Sequence, residues 1–439
     1  MHLSKYEMKN WHGLPALRVN QTNGISNWAF FTNINNEIVV GRFPLTEFDN
    51  EIYYQIAKRE GAFLCFDNLD NKIKETMTLV LCLTDKCNCR CKYCFLDADN
   101  IGHSMSFELL HKAIDKGIEL AEARHLIIAA FGGEPGLEQE LLHEMVTYSK
   151  EMIQKSKVKS YEFRITTNGI ISDNIINIIN DNNFITNISM DGTESIQNFQ
   201  RPFADGSTTY AIVEDTIKKL IQKKKADITI RCTVTKYSVK EIPNIIKSLA
   251  KLSIKKIHFE PVTQGGRAAN VEEKLQPPSP EDFIKYLEEG INIAANLNVD
   301  ILSFPYMNMH MAPYIFCDGN VNNRLVVSAE GNLSTCVEVQ SQAHILFNGL
   351  GVGYYDATKG EFIITNSRRR SVCRNSCTST NIKIKCNDCP LKFYCGGGCP
   401  TRNYRGTNNT EIIDEYRCKI VQNLIPFVLS KIYYETYTL

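Results

Sequence analysis

The residues best suited to metal or redox chemistry are the cysteines, which are numerous and unevenly placed. The chain has 439 residues and 16 cysteines; one group lies at residues 82–94, and nine more lie between Cys317 and Cys418. The polar N-terminus is not a signal peptide and no apolar run is long enough to cross a bilayer, which predicts a cytoplasmic protein with reduced thiols. Cysteines in a reducing compartment are better explained as metal ligands than as disulfides, so we expect two metal regions.

The first group lies in the segment TDKCNCRCKYCF, where Cys87, Cys91 and Cys94 have C-x3-C-x2-C spacing. Three thiolates on one short loop can bind three irons of a [4Fe–4S] cluster and leave the fourth iron open to a small molecule. A structural zinc site is the alternative, although zinc prefers four closed protein ligands. Cys89 lies inside the same loop, so a four-thiolate site is formally possible.

Alternating strand-like and helix-like segments follow one another from about residue 78 onward. Six short, apolar, partly β-branched segments are typical of buried parallel strands. They are MTLVLCL ending at Leu83, LIIAAF ending at Phe131, YEFRITT ending at Thr167, ITNISM ending at Met190, DITIRCTVT ending at Thr235 and KIHFEPV ending at Val262. Helical periodicity lies between them, as in the helix predicted after the N-cap Ser106. Six β–α units predict an α/β domain whose site residues lie at the carboxyl ends of the strands.

The cysteine loop at the end of the first of these strands resembles that of the radical S-adenosylmethionine (SAM) superfamily. The resemblance covers roughly residues 78–300 and implies an enzyme with a partial (β/α)6 TIM-like barrel. It also implies that the amine and carboxylate of SAM chelate the open iron, and that an electron from the cluster cleaves SAM to a 5′-deoxyadenosyl radical. Tyr93 occupies the family's aromatic position near the adenine, whereas Cys89 matches no family ligand.

Further family-like motifs follow the next strands in the expected order. Gly132-Gly133-Glu134-Pro135 matches the GGEP motif, Thr167-Asn168-Gly169 resembles TNG, and Ser189-Met190-Asp191-Gly192 resembles SLDG; Arg201, in QRP, matches an arginine that can pair with the SAM carboxylate. By resemblance, the SAM contacts are expected to be Tyr93, Gly132, Gly133, Glu134, Asn168, Ser189, Asp191 and Arg201.

The second cysteine group resembles the seven-cysteine SPASM domain, which carries two auxiliary [4Fe–4S] clusters. A zinc ribbon needs four thiols and leaves three unexplained. The resemblance assigns Cys386, Cys389, Cys395 and Cys418 to a distal cluster, and Cys317, Cys336 and Cys399 to a proximal one. Cys373 or Cys377 closes the proximal cluster, or one of its irons stays open. Three [4Fe–4S] clusters and SAM are therefore the expected cofactors.

Three domains are expected: residues 1–75, the barrel at 76–304, and an iron–sulfur domain at 305–439. In the first, NWAFFTN and IVVGRF predict a β-hairpin, and NEIYYQIAKRE predicts a helix. This small α+β layout resembles the recognition element with which maturases of ribosomal peptides hold a leader peptide. Glu260 is expected to point toward the active site if its strand is the sixth, and Cys65, Cys82 and Cys232 are expected to be packing thiols.

The overall charge excludes one class of partner, and the resemblance indicates the others. The 49 basic and 49 acidic side chains cancel, which gives no electrostatic reason to expect nucleic-acid binding. The resemblance implies a radical SAM maturase that installs a carbon–sulfur or carbon–carbon cross-link in a precursor peptide, with flavodoxin or ferredoxin as electron donor. The alternatives are an enzyme forming formylglycine, as in anaerobic sulfatase activation, and a non-catalytic iron–sulfur carrier or sensor.

Overall fold

The structure, a computed structural model, describes residues 8–11, 14–22, 25–34, 37–44, 76–223, 226–303, 319, 323–365, 386, 389, 391, 395, 397–410 and 412–437. In the first four strands only the side chains of Met8, Leu17 and Arg18 are described, and none is described beyond residue 432. The chain divides into two compact units. Unit 1 comprises Met1–Ile73, Phe304–Cys317 and Arg374–Leu439, and unit 2 comprises Lys74–Ser303 and Asp318–Cys373. The expected three-domain division stays a prediction.

Unit 2 is built on a mixed sheet whose strand order is β11-β10-β9-β8-β7-β6-β5-β12-β13-β14-β15. The run from β11 to β12 is parallel, and β12 to β15 pair antiparallel. The strands are β5 Thr76–Thr84, β6 His125–Gly132, β7 Ser160–Thr167, β8 Ile185–Ser189, β9 Asp227–Val234, β10 Lys256–Pro261, β11 Asp300–Ile301, β12 Arg324–Val327, β13 Asn332–Ser334, β14 Gly351–Asp356 and β15 Glu361–Ile364. All six predicted strands are confirmed, with their last residues within one position of those expected.

Helices join the parallel strands, as expected for a partial (β/α) barrel. They are α1 Phe107–Ala121, α2 Gln139–Gln154, α3 Asp173–Asp181, α4 Glu194–Gln200, α5 Tyr210–Gln222, α6 Ile242–Lys251 and α7 Pro280–Leu297; α8 Phe347–Leu350 is a short helix before β14. The predicted N-cap is confirmed, because the Ser106 hydroxyl accepts a hydrogen bond from the Leu109 N–H at 3.1 Å. The α/β fold class is thus confirmed.

The two faces of the parallel sheet differ in what they pack against. Leu79 of β5 faces α1 so closely that a Cβ added at Gly117 would lie 2.7 Å from Leu79 Cδ2. Since successive side chains of a strand point to opposite faces, Val80 and Cys82 point to the concave face. There they form an apolar cluster with Val326. The helices therefore cover the outer face, and the concave face remains for the site.

Unit 1 contains a separate antiparallel sheet in the order β1-β2-β3-β4. Its strands are β1 Met8–Trp11, β2 Leu14–Thr22, β3 Ile25–Ile34 and β4 Glu37–Pro44. The predicted hairpin is confirmed by the pairing of β3 with β4, whereas β1 and β2 were not predicted. The helix predicted from NEIYYQIAKRE lies outside the described residues.

Two helices of unit 1 follow the last cysteines: α9 Pro400–Thr407 and α10 Glu415–Tyr437. The α10 helix contacts β2, in which Leu17 is fully buried. Among the helices that the structure describes, none is both long enough and apolar enough to span a membrane.

Candidate active site

The cysteine loop that follows β5 is held by backbone hydrogen bonds on two sides. On one side, the N–H groups of Gly133 and Glu134 donate to the carbonyl oxygens of Thr84 and Lys86, both at 2.8 Å. On the other side, the N–H groups of Arg90 and Lys92 donate to Pro202 and Gln200 at 2.8 and 3.0 Å. The backbones of the GGEP and QRP segments thus fix the conformation of the cysteine loop from both sides.

The glycine pair of the GGEP segment is required by its close approach to this loop. Gly132 has φ +125°, and a Cβ there would lie 2.1 Å from the Thr84 carbonyl oxygen. At Gly133 a Cβ would lie 2.1 Å from the Lys86 carbonyl oxygen. Only glycine fits both positions without moving the loop backbone. The predicted contact of these glycines with SAM stays a prediction.

The four thiols of the loop lie close together, and three of them are buried. Cys87, Cys89 and Cys91 are 8, 2 and 7% exposed, and Cys94 is half-buried. Hydrogen bonding to the Cys89 side chain lowers the pKa of Cys87 to about 7, against the effect of burial. Hydrogen bonding to the Cys89 side chain also lowers the pKa of Cys91, whereas burial raises the pKa of Cys94. Since metal ligation needs the thiolate, Cys87 and Cys91 are prepared for it.

Cys89 behaves differently from its neighbours. Its hydrogen bonds to Cys87 and Cys91, together with burial, raise its own pKa. The contacts of Cys89 with both neighbours thus favour the thiolate forms of Cys87 and Cys91 over its own. These contacts were not predicted, since Cys89 matches no ligand position of the family.

A buried network lies beside the loop and joins three of the expected SAM contacts. The Tyr93 hydroxyl donates to Asp191, and Arg201 Nη1 donates to the Tyr93 oxygen at 2.9 Å. Asp191 also accepts from Gln200 Nε2 at 2.7 Å and from the Thr233 N–H at 3.0 Å. Burial raises the pKa of Asp191, while Arg201 is the largest influence that lowers it.

Arg201 and the three thiols of the loop fit a cluster with SAM bound to it. Arg201 is 8% exposed, and its buried Nε has no hydrogen-bond partner among the described residues. A buried guanidinium N–H without an acceptor is costly unless an anion completes it. The carboxylate of SAM would supply that anion beside the three thiols of the loop.

The Glu134 carboxylate accepts its hydrogen bonds from groups of the protein itself. It is fully buried and accepts from the Thr167 hydroxyl at 2.7 Å, the Asn168 N–H at 2.6 Å and the Gly136 N–H at 2.8 Å. Burial raises its pKa to about 7, although these donors oppose the shift. Glu134 therefore ties the end of β6 to the end of β7, and its direct contact with SAM stays a prediction.

The Asn168 side chain contacts the cysteine loop itself. Its Nδ2 donates to Asn88 Oδ1 at 2.7 Å and lies 3.7 Å from Cys87 Sγ. Donors to a ligating sulfur tune an iron–sulfur centre, so Asn168 is placed to act on the cluster. Ser189, another expected SAM contact, is the half-buried last residue of β8.

Arg267 also holds the loop, and the sequence did not predict this role. Its Nε and N–H donate to the carbonyl oxygens of Cys91 and Cys94, both at 2.9 Å. Its Nη1 also pairs with Asp97 at 2.8 Å. The GGRA segment after β10 was the sequence feature that could have drawn attention to Arg267. Its contact with Cys91 could not be predicted, because the two residues are 176 positions apart in the chain.

A cavity of about 570 Å³ opens beside the loop. It is lined by Cys87 and Asn88, by Leu137 after the GGEP turn, and by Phe203 and Asp205, among others. Its volume is in the range of small-molecule sites. Tyr93, Asp191 and Arg201 are not among its described lining residues.

The C-terminal cysteines are described only in part. Cys317, Cys373 and Cys377 lie outside the described residues, and Cys336 and Cys399 belong to different units, so the proximal ligand set stays a prediction. The expected distal ligands are Cys386, Cys389, Cys395 and Cys418, all in unit 1. Burial, with a smaller effect of the nearby thiols of Cys418 and Cys389, raises the pKa of Cys395 to about 11 against the influence of Arg417. Three of the four thiols are thus close enough to interact.

No three described His, Cys, Asp or Glu side chains are arranged to hold a single metal ion. Each thiolate of a [4Fe–4S] cluster binds a different iron, so such a cluster does not need one shared point. The remaining thiols fit the expectation of packing. Cys82 and Cys232 are buried, and burial raises the pKa of both; Cys65 lies outside the described residues.

Comparison with known proteins identifies the class. Residues 81–249 match the model of the radical SAM superfamily, and they contain the cysteine loop and the GGEP, TNG and SMDG segments. The chain therefore carries a radical SAM domain and is a radical SAM enzyme. This class implies a [4Fe–4S] cluster and SAM as cofactors.

The characterised proteins with similar sequences include anaerobic sulfatase-maturating enzymes. The cysteine-type anaerobic sulfatase-maturating enzyme of Clostridium perfringens is 22% identical over 366 residues, 79% of this chain and 94% of the relative. The serine-type enzyme of Klebsiella aerogenes is 23% identical over 359 residues, 78% of this chain and 84% of the relative.

Solved structures share the fold. Native anSMEcpe with bound AdoMet and Cp18Cys peptide is 18% identical and covers 83% of this chain and 100% of its own, with a TM-score of 0.65. SuiB of Streptococcus suis is 15% identical and covers 94% of this chain and 98% of its own, with a TM-score of 0.53. SuiB bound to precursor peptide SuiA has a TM-score of 0.54.

Proposed function

We propose that the protein is a peptide maturase that removes a hydrogen atom from a ribosomally made precursor and installs an intramolecular carbon–sulfur or carbon–carbon cross-link. The observation that carries the radical chemistry is the loop of Cys87, Cys91 and Cys94 beside the buried network of Tyr93, Asp191 and Arg201. When bound, the cluster and SAM would supply a 5′-deoxyadenosyl radical. Arg201 would orient the SAM carboxylate, and the buried loop would exclude water.

The N-terminal sheet supports a peptide as the substrate. Within residues 8–44, β1 pairs only with β2 and β4 pairs only with β3. Each of these two strands therefore has one edge that no described strand occupies, and a leader peptide can add a strand there through main-chain hydrogen bonds. SuiB, which has been solved with its precursor peptide, shares the fold over most of this chain.

Formylglycine formation on a folded sulfatase-type protein is the second candidate. It is favoured by the curated relatives, several of which are sulfatase-maturating enzymes. Both candidates share the first step, which is hydrogen abstraction from a residue of a polypeptide. Both candidates also use the three proposed iron–sulfur clusters.

The count of cysteines bears on these three proposed clusters. Thirteen of the chain's 16 cysteines remain as candidate ligands when the expected packing thiols Cys65, Cys82 and Cys232 are set aside. The resemblance gives a ligand role to ten of them, three at the SAM-binding cluster and seven in the C-terminal region. The fourth proximal ligand stays open between Cys373, Cys377 and no protein ligand. We further propose a cytoplasmic location and an acidic electron carrier, flavodoxin or ferredoxin, as the source of the electron.

The test uses the anaerobically reconstituted enzyme with SAM, a reductant and a short peptide encoded beside its gene. We expect the peptide to lose two hydrogens as 5′-deoxyadenosine forms, and fragmentation to stop across the linked segment. The same peptide without its leader is the control and should react far more slowly. An unlinked product that reacts with an aldehyde reagent would instead support formylglycine formation. An unchanged peptide with abundant 5′-deoxyadenosine would contradict the peptide assignment.

A further inference from the structure

The concave face of the sheet in unit 2 has an apolar side and a polar side. On β5, β6 and β12 it is lined by Val80, Cys82 and Val326, with Ala129 and Phe131 packed against them. On β9 and β10 the alternation of side chains places polar groups on the same face: Arg231, Thr233, His258 and Glu260. Their neighbours Cys232 and Phe259 are buried at 1 and 0% exposure. Apart from the Thr233 backbone, which contacts Asp191 and Gln200, the polar side of this face has no role in the site described above.

Glu260 lies next to the network that holds Tyr93. Its strand, β10, is the sixth of the parallel series that starts at β5, as the sequence required for Glu260 to face the site. Glu260 is paired in register with Thr233, so their backbones are about 4.8 Å apart. The Thr233 N–H donates to Asp191 at 3.0 Å, and its carbonyl oxygen accepts from Gln200 at 3.3 Å.

Exposure separates Glu260 from the other carboxylates at the strand ends. Glu134 and Asp191 are both 0% exposed, so neither can reach a substrate. The Glu260 side chain is 16% exposed. His258, on the same face and 6% exposed, places Nε2 at 3.5 Å from Glu260 Oε2. An imidazole at this distance can form an ion pair with the carboxylate when the ring is protonated.

We propose that Glu260 accepts the proton that the peptide loses during cross-linking, with His258 as its partner. The proposal rests on the proposed function. The peptide loses one hydrogen as an atom to the 5′-deoxyadenosyl radical. It loses the second as a proton to Glu260, while the remaining electron passes to a one-electron acceptor, an iron–sulfur cluster of the class expected for the C-terminal cysteines. The new carbon–sulfur or carbon–carbon bond joins the two positions that lost hydrogen, so atoms and electrons balance.

The test compares wild type, Glu260→Gln and Glu260→Asp with a precursor peptide that carries deuterium at the reacting carbon. Loss of a general base costs roughly 10²–10⁴-fold, so Glu260→Gln should form cross-linked peptide at least about 100-fold more slowly. Deuterium should still move into 5′-deoxyadenosine, because hydrogen abstraction precedes proton loss. Glu260→Asp retains a carboxylate and should stay within about 10-fold of wild type.

The control is Glu272→Gln, a change at an exposed glutamate that pairs with Lys274 at 3.2 Å; it should match wild type. Iron content and the visible spectrum verify cluster loading, and if Glu260→Gln fails to load, Glu260→Asp carries the comparison. Wild-type rates of cross-linking in Glu260→Gln would overturn the proposal, and so would loss of deuterium transfer in a loaded variant. If wild type itself leaves the peptide unchanged, the proposed function fails instead.

Discussion

Replacing Cys87, Cys91 and Cys94 with alanine is expected to abolish SAM cleavage. Losing a residue that only supports a metal ligand typically costs 10- to 100-fold, so losing three ligands should leave less than about 1% of the wild-type rate of 5′-deoxyadenosine formation. Two of these thiols have lowered pKa values, as ligating thiolates require. The measurement is 5′-deoxyadenosine by chromatography after anaerobic reconstitution, together with iron per chain.

Single replacements of two other cysteines serve as comparisons for the triple variant. Cys82→Ala removes a buried thiol on β5 and should keep the wild-type rate to within about threefold, since it only leaves a small cavity. Cys89→Ala should keep the cluster and lose about 10- to 100-fold in rate, because Cys89 supports the ligating thiolates rather than binding iron. Loss of iron in Cys89→Ala equal to that in the triple variant would indicate a closed four-thiolate site and contradict the open iron.

Arg201→Gln is expected to weaken SAM binding strongly. A hydrogen bond to a charged group is worth about 1.5–3 kcal/mol, which corresponds to an increase of about 10- to 150-fold in the Kd for SAM. The change also removes the buried cation that Tyr93 joins to Asp191, and leaving a buried charge uncompensated destabilises by roughly 3–5 kcal/mol. The measurements are SAM binding by calorimetry under anaerobic conditions and the midpoint of thermal unfolding.

Controls for Arg201 separate charge from geometry. Arg201→Lys keeps the cation but loses the forked donors, so its Kd should lie between those of wild type and Arg201→Gln. Lys219→Gln removes an exposed cation that pairs with Asp173 at 2.8 Å, and its Kd should be unchanged. An unchanged Kd in Arg201→Gln would show that the buried guanidinium does not serve SAM.

The parallel strands were predictable because local sequence determines them. Buried strands such as β5 and β6 are continuous apolar runs that end at polar motifs, so their ends were placed within one residue. The helix start after Ser106 followed from a side-chain cap within three residues. The strands β1 and β2 were missed because their segments, MKNW and LPALRVNQT, lack a strong alternating pattern.

The site was predictable as a set of residue types but not as a set of contacts. The motifs gave the identities of Tyr93, Asp191 and Arg201, whereas the hydrogen bonds that join them span about 100 residues of sequence. The glycines of GGEP were expected to contact SAM, which stays a prediction, and the structure adds that they make room for the loop backbone. The GGRA segment marked the position of Arg267 but not its partners, because these are reached only through folding.

The central claim is that the enzyme generates a radical that takes hydrogen from a peptide. The most direct measurement is the mass of 5′-deoxyadenosine formed with a precursor peptide deuterated at the reacting residue. The account predicts 5′-deoxyadenosine carrying one deuterium, formed together with a lighter peptide. Unlabelled 5′-deoxyadenosine with every candidate position deuterated in turn would contradict it.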